Sequence, residues 1–456
     1  MNKKVFHNLY GEGEIINRRF KGYEYLVLFE NGLKKWIRIS ELKFLDVEKK
    51  ESLEKNKIST FNKDIFKEAP TNKEKFKERT IVESLRLGIV PYKYIEDFIF
   101  GREKEIKTIE KWLKGEDKRK ILVINGEYGS GKTHLASYIE SLALKLNYVT
   151  SFVELDYYEA PFYRPKRIYR NIVSSLKYIK GDNKYDFRDL LRSIIRKLGG
   201  WKDHHFFKHI DPIKEDENIW EWIEAKNINS CKPYEPAYNS LGKEYNKYYF
   251  LPPLYDEFTS LNVYFNLISS IAWGITKILK MEGFLIIFDE TESISIGSKS
   301  QYEKNKNFID TLFLLIKNDR RLLDKKVSKN ELPLEFSKRS SKISWIPYMY
   351  RSDFNLMVVF TSTNQEFYFD NSISINIEKL SKKDLQNIFD AVYKNYAKAY
   401  GIEIEPYIRN KIFNILIEKD KPLRLFIKGA VEACDLCRLN KEIFTKRHEI
   451  RQIGRN

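Results

Sequence analysis

The chain has 456 residues, of which 42% are hydrophobic and 32% are charged. This length and balance are typical of a folded soluble protein with two or three domains. No apolar run reaches the roughly 18 residues of a membrane-spanning helix, and no apolar stretch follows the N-terminal lysines as in a secretory signal. Three cysteines cannot form a disulfide framework, so we expect a cytoplasmic protein.

Basic residues number 81 against 64 acidic ones, a formal net charge of +17. Such an excess favours binding to polyanions, because each lysine or arginine that contacts a phosphate releases a counterion. We therefore expect a nucleic acid, DNA in the first place, as a partner, and no membrane. A basic, solvated surface without a nucleic-acid role is the alternative.

Residues 1–45 alternate apolar and polar positions in short runs separated by turn signals such as Asn31-Gly32. Short strands joined by tight glycine turns predict a small antiparallel β-barrel. The predicted strands contain Glu14–Ile16, Tyr23–Phe29 and Lys35–Ile39.

Three further segments follow. Residues 46–80 are rich in Lys and Glu and predict a charged linker, partly helical at most. Strands and helices then alternate over 81–375, which predicts an α/β fold with a parallel sheet, interrupted by an aromatic-rich insertion at about 200–255. Residues 376–456 predict a helical lid, with a helix start at Leu380-Ser381.

A glycine-rich loop follows the apolar strand Lys120–Asn125 and opens the next helix. Its spacing is that of a P-loop in the required strand–loop–helix setting. Consecutive backbone N–H groups of such a loop surround phosphate oxygens, and the helix N-terminus adds its positive dipole end. The predicted nucleotide-binding residues are Gly126, Glu127, Tyr128, Gly129, Ser130, Gly131, Lys132, Thr133 and His134.

Within that loop, we expect Lys132 to reach the β- and γ-phosphates of ATP and the Thr133 hydroxyl to bind Mg²⁺. A second apolar strand, Gly283–Phe288, ends in Asp289 and Glu290. Active sites of parallel sheets lie at the carboxyl ends of the strands, and phosphoryl transfer needs a carboxylate that holds the metal ion. The sequence therefore predicts an ATPase in which Asp289 serves Mg²⁺ and Glu290 polarises the attacking water.

Three more segments resemble parts of AAA+ ATPases. Gly101-Arg102, about 20 residues before the loop, resembles the box that packs near adenine in that family. The strand Leu356–Phe360 and the polar run Thr361–Asn364 at its end are similar to sensor 1, whose polar tip helps to place the hydrolytic water. Thr363 and Asn364 are the expected site residues of that run. Arg424 resembles the sensor-2 arginine, which reaches from the lid to the γ-phosphate. A strand-end turn and a solvated first helical turn are the plainer interpretations.

From about Ile81 to Leu436 the chain resembles the BrxD-type P-loop ATP-binding proteins of bacteriophage-exclusion (BREX) systems. That resemblance implies an AAA+-like ATPase in antiphage defence or DNA processing, commonly alongside a helicase. No role for two of its segments, Leu85–Gly88 and Leu251–Leu254, follows from the sequence. The residues that carry the resemblance are Glu83–Gly88, Gly126–His134, Val153–Asp156, Leu251–Leu254, Asn262–Tyr264, Asp289–Glu292 and Pro422–Phe426.

The N-terminal 45 residues lie outside that match. Val5–His7, Tyr10–Gly13, Phe29 and Leu42 are similar to positions of small Tudor/SH3-like barrels, which bind protein partners or nucleic acid. An ordinary structural cap is the alternative.

Three other groups of residues are better explained by a structural role than by metal or nucleic-acid binding. His205 and His209, with His204 adjacent, have a spacing that could bind zinc on a helix, but they lack a convincing further ligand. Cys434 and Cys437 predict a core-facing helical turn. The aromatic residues from Trp201 to Phe250, Trp220 and Trp222 among them, could stack bases but are more often core.

Two functions stay open. The first is an ATP-hydrolysing switch or motor on DNA, assembled as a homo-oligomeric ring. The second is a nucleotide-binding adaptor with little turnover that recruits a helicase or another partner. Glu290 favours the first, whereas the lack of arginine from Ser352 to Ile408 disfavours a trans-acting finger after sensor 1. The remaining finger candidates are Arg320, Arg321, Arg339 and Arg351, with the first two preferred.

Overall fold

The structure is a computed structural model. It describes residues 4–7, 11–19, 24–29, 34–38, 42–44, 73–214, 216–226, 251, 254, 261–319, 353–363, 369–418 and 422–439. The chain divides into two compact units, Met1–Lys73 and Glu74–Asn456. The finger candidates Arg320, Arg321, Arg339 and Arg351 lie outside the described residues, as does Asn364.

The first unit contains a five-stranded antiparallel sheet in the order β4-β3-β2-β1-β5. All three predicted strands are present. Val5, Val27, Phe29 and Ile37 form its small buried core. Closure into a barrel stays a prediction, because the described pairings run in an open order from β4 to β5. The strands are β1 (Lys4–His7), β2 (Gly11–Arg19), β3 (Glu24–Phe29), β4 (Lys34–Arg38) and β5 (Leu42–Phe44).

The second unit is built on a five-stranded parallel sheet in the order β12-β6-β11-β10-β7. This confirms the predicted α/β fold with a parallel sheet. The three central strands are fully buried and apolar except at their carboxyl ends, since helices cover both faces. The strands are β6 (Ile121–Asn125), β7 (Tyr148–Glu154), β10 (Gly283–Asp289), β11 (Leu356–Ser362) and β12 (Ser372–Asn376).

Helices and one hairpin surround the sheet. Burying each Leu, Ile, Val or Phe side chain between the helices and the sheet contributes about 1.5–3 kcal/mol. The hairpin is β8 (Tyr178–Lys180) and β9 (Asn183–Tyr185). The helices are α1 (Lys73–Arg86), α2 (Glu103–Leu113), α3 (Lys132–Lys145), α4 (Pro165–Ser175), α5 (Phe187–Leu198), α6 (Glu217–Ile223), α7 (Leu261–Trp273) and α8 (Lys299–Ile316).

The predicted helical lid contains α9 (Lys382–Tyr400), α10 (Pro406–Ile417) and α11 (Leu423–Leu439). The predicted start of α9 is confirmed, because the Ser381 side chain accepts from the backbone N–H of Asp384 in a capping box. The lid has its own apolar core, and α1 joins it through Ile81, Val82 and Leu85. Helix α1 begins at Lys73, inside the segment that the charge pattern had predicted to be a linker.

The tryptophans and cysteines for which the sequence favours a structural role lie in the hydrophobic core. Trp201, Trp220 and Trp222 are buried beside the sheet, which confirms the core interpretation for them. Cys434 and Cys437 lie on α11 inside the lid core, as predicted. The lid and the insertion therefore use these residues for packing.

His204 is also buried, and both of its ring nitrogens take part in hydrogen bonds. Nδ1 accepts from the backbone N–H groups of Phe206 and Phe207 at 3.2 and 2.9 Å, and Nε2 lies 3.0 Å from Oγ of Ser270. These contacts give His204 a structural role in folding the insertion onto α7.

None of the helices that the structure describes combines the length and the apolar character that crossing a bilayer requires.

Candidate functional site

The glycine-rich loop lies between β6 and α3, as predicted. Gly129 has φ +76° and Gly131, at the N-cap of α3, has φ +99°. Both values lie in the left-handed region that side chains disfavour, so the turn requires glycine at these two positions. The loop is held to the sheet by the N–H of Gly126, which donates to the Ser362 carbonyl at 3.1 Å.

Lys132 lies inside this loop and is 8% exposed. Its Nζ donates to the carbonyl oxygens of Gly126 and Glu127 at 3.0 and 3.1 Å. Burial lowers the pKa of Lys132, while the negative charges of Glu292, Asp289 and Glu290 act in the opposite direction. The ammonium group therefore lies within the electrostatic influence of carboxylates at the end of β10 and in the turn that follows it.

Ser130 adds a polar group that lacks a partner within the described part of the chain. Its Oγ is buried and makes no hydrogen bond there. A Cβ atom added at Gly126 would lie 2.6 Å from this oxygen, so glycine leaves the room that the serine hydroxyl uses. A glycine-rich loop with a buried hydroxyl and a lysine at the N-terminus of a helix fits the phosphates of a nucleotide.

The two predicted metal ligands are neighbours. Oγ1 of Thr133 donates to Oδ2 of Asp289 at 2.7 Å, and Asp289 is 3% exposed. A hydroxyl and a carboxylate beside a phosphate loop form the oxygen donor set that Mg²⁺ prefers, with phosphates and water completing the coordination. The residues present therefore fit the predicted Mg²⁺ site.

Thr361 begins the polar run that the sequence predicts after β11, although the predicted site residues of that run are Thr363 and Asn364. Its fully buried hydroxyl bonds the other oxygen of Asp289, Oδ1, and accepts from the backbone N–H of Glu290 at 3.2 Å. The parallel register places Phe360 beside Phe288, so Thr361 comes next to Asp289. A hydroxyl directly after the apolar run of the neighbouring strand was the available signal, but it depends on knowing which strands are neighbours.

Glu290 directly follows β10 and lies in the left-handed region, with φ 58° and ψ 46°. This conformation is uncommon for a residue with a side chain and often marks functional sites. Burial raises the pKa of the Glu290 carboxyl, and the charges of Glu154, Asp289 and Glu292 raise it further, while Lys132 lowers it. Glu290 is thus a carboxylate with increased basicity beside the phosphate loop.

The polar tip after β11 begins later than predicted, because Thr361 and Ser362 still belong to the strand. The backbone N–H of Thr363 donates to Oε2 of Glu292 at 3.4 Å, so the tip lies beside the acidic turn after β10. The water-placing role of Thr363 stays a prediction.

The box at Gly101-Arg102 contacts both the loop and the lid. Arg102 is buried and donates from Nη2 to the Ser130 carbonyl at 3.4 Å, while Nη1 lies 3.3 Å from Oε1 of Glu105. Gly101 has φ +64°, and a Cβ atom there would lie 2.5 Å from Cγ of Asp384 on α9. The box is therefore packed between the P-loop and the start of the lid.

His134 attaches α3 to the segment before the box. Its Nε2 lies 3.2 Å from the Phe98 carbonyl, and since a carbonyl can only accept, Nε2 carries the proton. Burial lowers the pKa of His134 to about 4, although the Phe98 carbonyl favours the charged form. His134 is therefore neutral at physiological pH and acts here as a hydrogen-bond donor. Glu127 and Tyr128, by contrast, are exposed at the loop tip.

The lid reaches the P-loop through the first residues of α11. A Cβ atom added at Gly129 would lie 2.7 Å from Cβ of Pro422, and one at Gly131 would lie 3.9 Å from Leu423. Arg424 is exposed and its side chain runs across Gly88, beyond the end of α1. The structure thus brings Arg424 to the edge of the site, and its contact with the γ-phosphate stays a prediction.

Residues 74–200 match the model of the family described as BREX system ATP-binding protein BrxC/D. This confirms the family resemblance over α1, the box, the P-loop and the helices up to α5. The match does not extend to Asp289, Glu290 or Arg424. No curated protein matches the chain.

Solved structures to which the chain is similar include three proteins of low sequence identity. The Walker-type ATPase PABY2304 of Pyrococcus abyssi is 11% identical, with 76% of this chain and 69% of that chain covered and a TM-score of 0.36. AMPPCP-bound DnaA from Aquifex aeolicus is 13% identical, with coverages of 78% and 71% and a TM-score of 0.32. PCH-2 of C. elegans is 12% identical, with coverages of 80% and 68% and a TM-score of 0.31.

Proposed function

We propose that this protein binds ATP with Mg²⁺ and hydrolyses its β–γ phosphoanhydride bond. One observation carries the proposal: the carboxylate of Asp289 is bonded through one oxygen by Thr133 of the P-loop and through the other by Thr361 of the neighbouring strand. This arrangement joins the loop, the metal carboxylate and the sensor-1 strand into one site, with Glu290 next in the chain.

Each side chain has a separate task in this scheme. Lys132 neutralises charge on the β- and γ-phosphates, and the loop N–H groups orient them. Thr133 and Asp289 would hold Mg²⁺, which would supply charge neutralisation for the phosphates. Thr361 fixes the direction of the Asp289 carboxylate, and a supporting hydrogen bond of this kind commonly affects metal affinity and activity about 10–100-fold.

Glu290 acts as the base that polarises the attacking water. Proton acceptance is most efficient when the pKa of the base lies near the working pH, and the pKa of Glu290 is raised toward it. The hydrogen bond from its backbone N–H to Thr361 holds the turn that presents this carboxylate. A protein that only bound nucleotide would have no use for such a group.

Nucleotide binding is tested by the thermal stability of the purified protein with and without Mg-ATP. Ligand at about 100 times its dissociation constant adds about 2.7 kcal/mol to the free energy of unfolding. Lys132→Ala should abolish this gain, whereas Lys145→Ala, at the far end of the same helix, should retain it. An equal gain in the Lys132→Ala variant would contradict the assignment of the loop.

The biological role that we propose is a switch or motor in DNA processing or antiphage defence. The family match over residues 74–200 and the net charge of +17 support it. If the charge binds phosphates, duplex DNA affinity should fall by roughly 0.9 decades per decade of salt for each phosphate neutralised. Affinity that does not change with salt, or no binding at about 50 mM salt, would reject the DNA role.

A second candidate function is an adaptor that turns over little ATP and recruits a helicase or another protein. The observation that favours it is the lack of arginine from Ser352 to Ile408, where a ring ATPase would carry its trans-acting finger. Turnover that is slow at all protein concentrations and unaffected by DNA supports the adaptor. Turnover that rises with protein concentration, and falls when Arg320 and Arg321 are replaced by alanine, supports a ring.

A further inference from the structure

The segment Leu85–Gly88 has no role that the sequence explains, yet the structure places it in the lid. It ends α1, and Leu85 is fully buried with α9, α10 and α11. The backbone N–H of Gly88 donates to the Leu85 carbonyl at 2.8 Å, which closes the end of the helix. The segment therefore belongs to the lid core, although it precedes the P-loop by about 40 residues in the sequence.

Arg86 fixes this segment to α11. Its guanidinium group bonds the Asp435 carboxylate through Nη1 and again through Nη2, a two-point contact. Asp435 also accepts from the Tyr396 hydroxyl at 2.5 Å. A bidentate pair supported by a second donor restricts orientation as well as distance. The end of α1 thus has one defined position on α11.

Gly88 is where the segment meets Arg424. It has φ +72°, and an added Cβ atom would lie 2.6 Å from Cγ and 3.2 Å from Nε of Arg424. Lys428, one turn further along α11, would be 3.1 Å away. Glycine therefore provides the space across which the Arg424 side chain lies, in addition to the backbone freedom that the helix end needs.

The first turn of α11 has the P-loop on its other side. Pro422 packs on Gly129 so closely that a Cβ atom there would be 2.7 Å from Cβ of Pro422. Arg424 follows two residues later and lies on Gly88. This short stretch therefore packs against the P-loop at Pro422 and against the end of α1 at Arg424.

From these contacts we propose that Gly88 is a positioning residue for Arg424: it sets where the arginine lies relative to the P-loop and so tunes how the lid responds to the γ-phosphate. This inference rests on the proposed function, because it takes ATP to be bound at the P-loop and Arg424 to contact its γ-phosphate, as the resemblance to a sensor-2 arginine implies. Gly88 itself touches no nucleotide in this scheme and acts only through the arginine.

The test compares Gly88→Ala with Gly115→Ala. Both glycines follow a helix end with a left-handed backbone, φ +72° and +77°, but an added Cβ at Gly115 has no atom within 4 Å. The control therefore carries the same backbone strain without the steric effect on Arg424. For each variant, kcat, KM and the ratio of ATP to ADP dissociation constants are measured, together with the melting temperature.

We expect Gly88→Ala to lower kcat about tenfold more than Gly115→Ala does. We also expect both Gly88→Ala and Arg424→Ala to reduce the preference for ATP over ADP. Adding Gly88→Ala to Arg424→Ala should then change either quantity by less than about twofold, because residues that act through one another are not additive. Equal behaviour of the two glycine variants, or full multiplication of the effects in the double variant, would overturn the proposal.

Failure of the proposed function gives a different pattern. A wild-type protein that does not hydrolyse ATP would remove the ATPase assignment, and the ratio of ATP to ADP dissociation constants would then decide the Gly88 inference alone. Loss of that preference in Gly88→Ala but not in Gly115→Ala would support it, and unchanged preference in both would reject it.

Discussion

Oγ1 of Thr133 and Oδ2 of Asp289 are 2.7 Å apart, although 156 residues separate them in the sequence. The contact spans from the P-loop to the carboxyl end of β10, two strands away in the sheet. Since Oδ1 of the same carboxylate is bonded by Thr361 between them, the orientation of Asp289 is set from both sides. Preorganised donors of this kind lower the cost of arranging groups during a reaction.

Replacing the buried hydroxyl of Thr361 tests this arrangement. Thr361→Val retains the shape of the side chain but removes the bond to Asp289 and the acceptor for the Glu290 N–H. We expect kcat to fall about 10–100-fold and the Mg²⁺ concentration for half-maximal rate to rise. ATP binding in the absence of Mg²⁺ should change little, because the P-loop is intact. Steady-state kinetics over a Mg²⁺ series measure both effects.

Thr311→Val is the matched control for that variant. Thr311 is equally buried and donates to the Asn307 carbonyl within α8, away from the site. Both variants should lose about 0.5–1.5 kcal/mol of stability with the lost hydrogen bond. A similar fall in kcat for Thr311→Val would mean that stability, and not the orientation of Asp289, explains the result.

The raised pKa of Glu290 predicts where the acid limb of the pH–rate profile lies. A base must be deprotonated, so kcat/KM should fall as the pH is lowered through the Glu290 pKa, above the ordinary value for Glu. Burial is the main cause of the rise and the charge of Glu154 is the next. Glu154→Gln should therefore move the acid limb to lower pH, as measured from kcat/KM for Mg-ATP at constant ionic strength.

Glu159→Gln, an exposed substitution in the following loop, serves as the control for net charge. It should leave the acid limb where it is in the wild type. A shift of the same size in both variants would assign the effect to overall charge, and a shift to higher pH in Glu154→Gln would contradict the role of Glu290.

The N-terminal sheet predicts a separable function. Its described core has only four buried side chains, Val5, Val27, Phe29 and Ile37, which makes a unit of this size marginal alone. If it tethers a partner, deletion of residues 1–45 should leave ATP hydrolysis nearly unchanged while weakening association with DNA or a helicase. A structural cap predicts instead that the melting temperature of the ATPase transition falls by several degrees in a calorimetric scan of the deletion.

The parallel sheet and the candidate site at the carboxyl ends of its strands could be predicted from the sequence because their signals are local. An apolar strand ending in Asp289-Glu290, a P-loop before α3 and the Ser381 cap each depend on a few adjacent residues. The boundaries differ by a few positions, as for β11, which retains Thr361 and Ser362 within the strand. The model of the family confirms the resemblance only over 74–200.

The contacts between distant segments could not be predicted in this way. The pairing of Arg86 with Asp435, and of Gly88 with Arg424, depends on where α1 packs after folding, and no periodicity in one segment encodes the other. Lys73 to Thr80 look like part of a charged linker because the segment is rich in Lys and Glu. In the structure most of the described side chains there are exposed, while Ile81, Val82 and Leu85 supply the buried face of the helix. A short apolar face on a charged helix is readily taken for part of a linker.

The most direct test of the account is ATP turnover by Glu290→Gln, measured as phosphate release at saturating Mg-ATP beside wild type. The substitution keeps the size of the side chain and removes only its ability to accept a proton. We expect turnover to fall by about 10²–10⁴-fold, while the thermal stabilisation by Mg-ATP is retained and Glu303→Gln, an exposed change on α8, behaves as wild type. Turnover at the wild-type rate in Glu290→Gln would contradict the proposed active site.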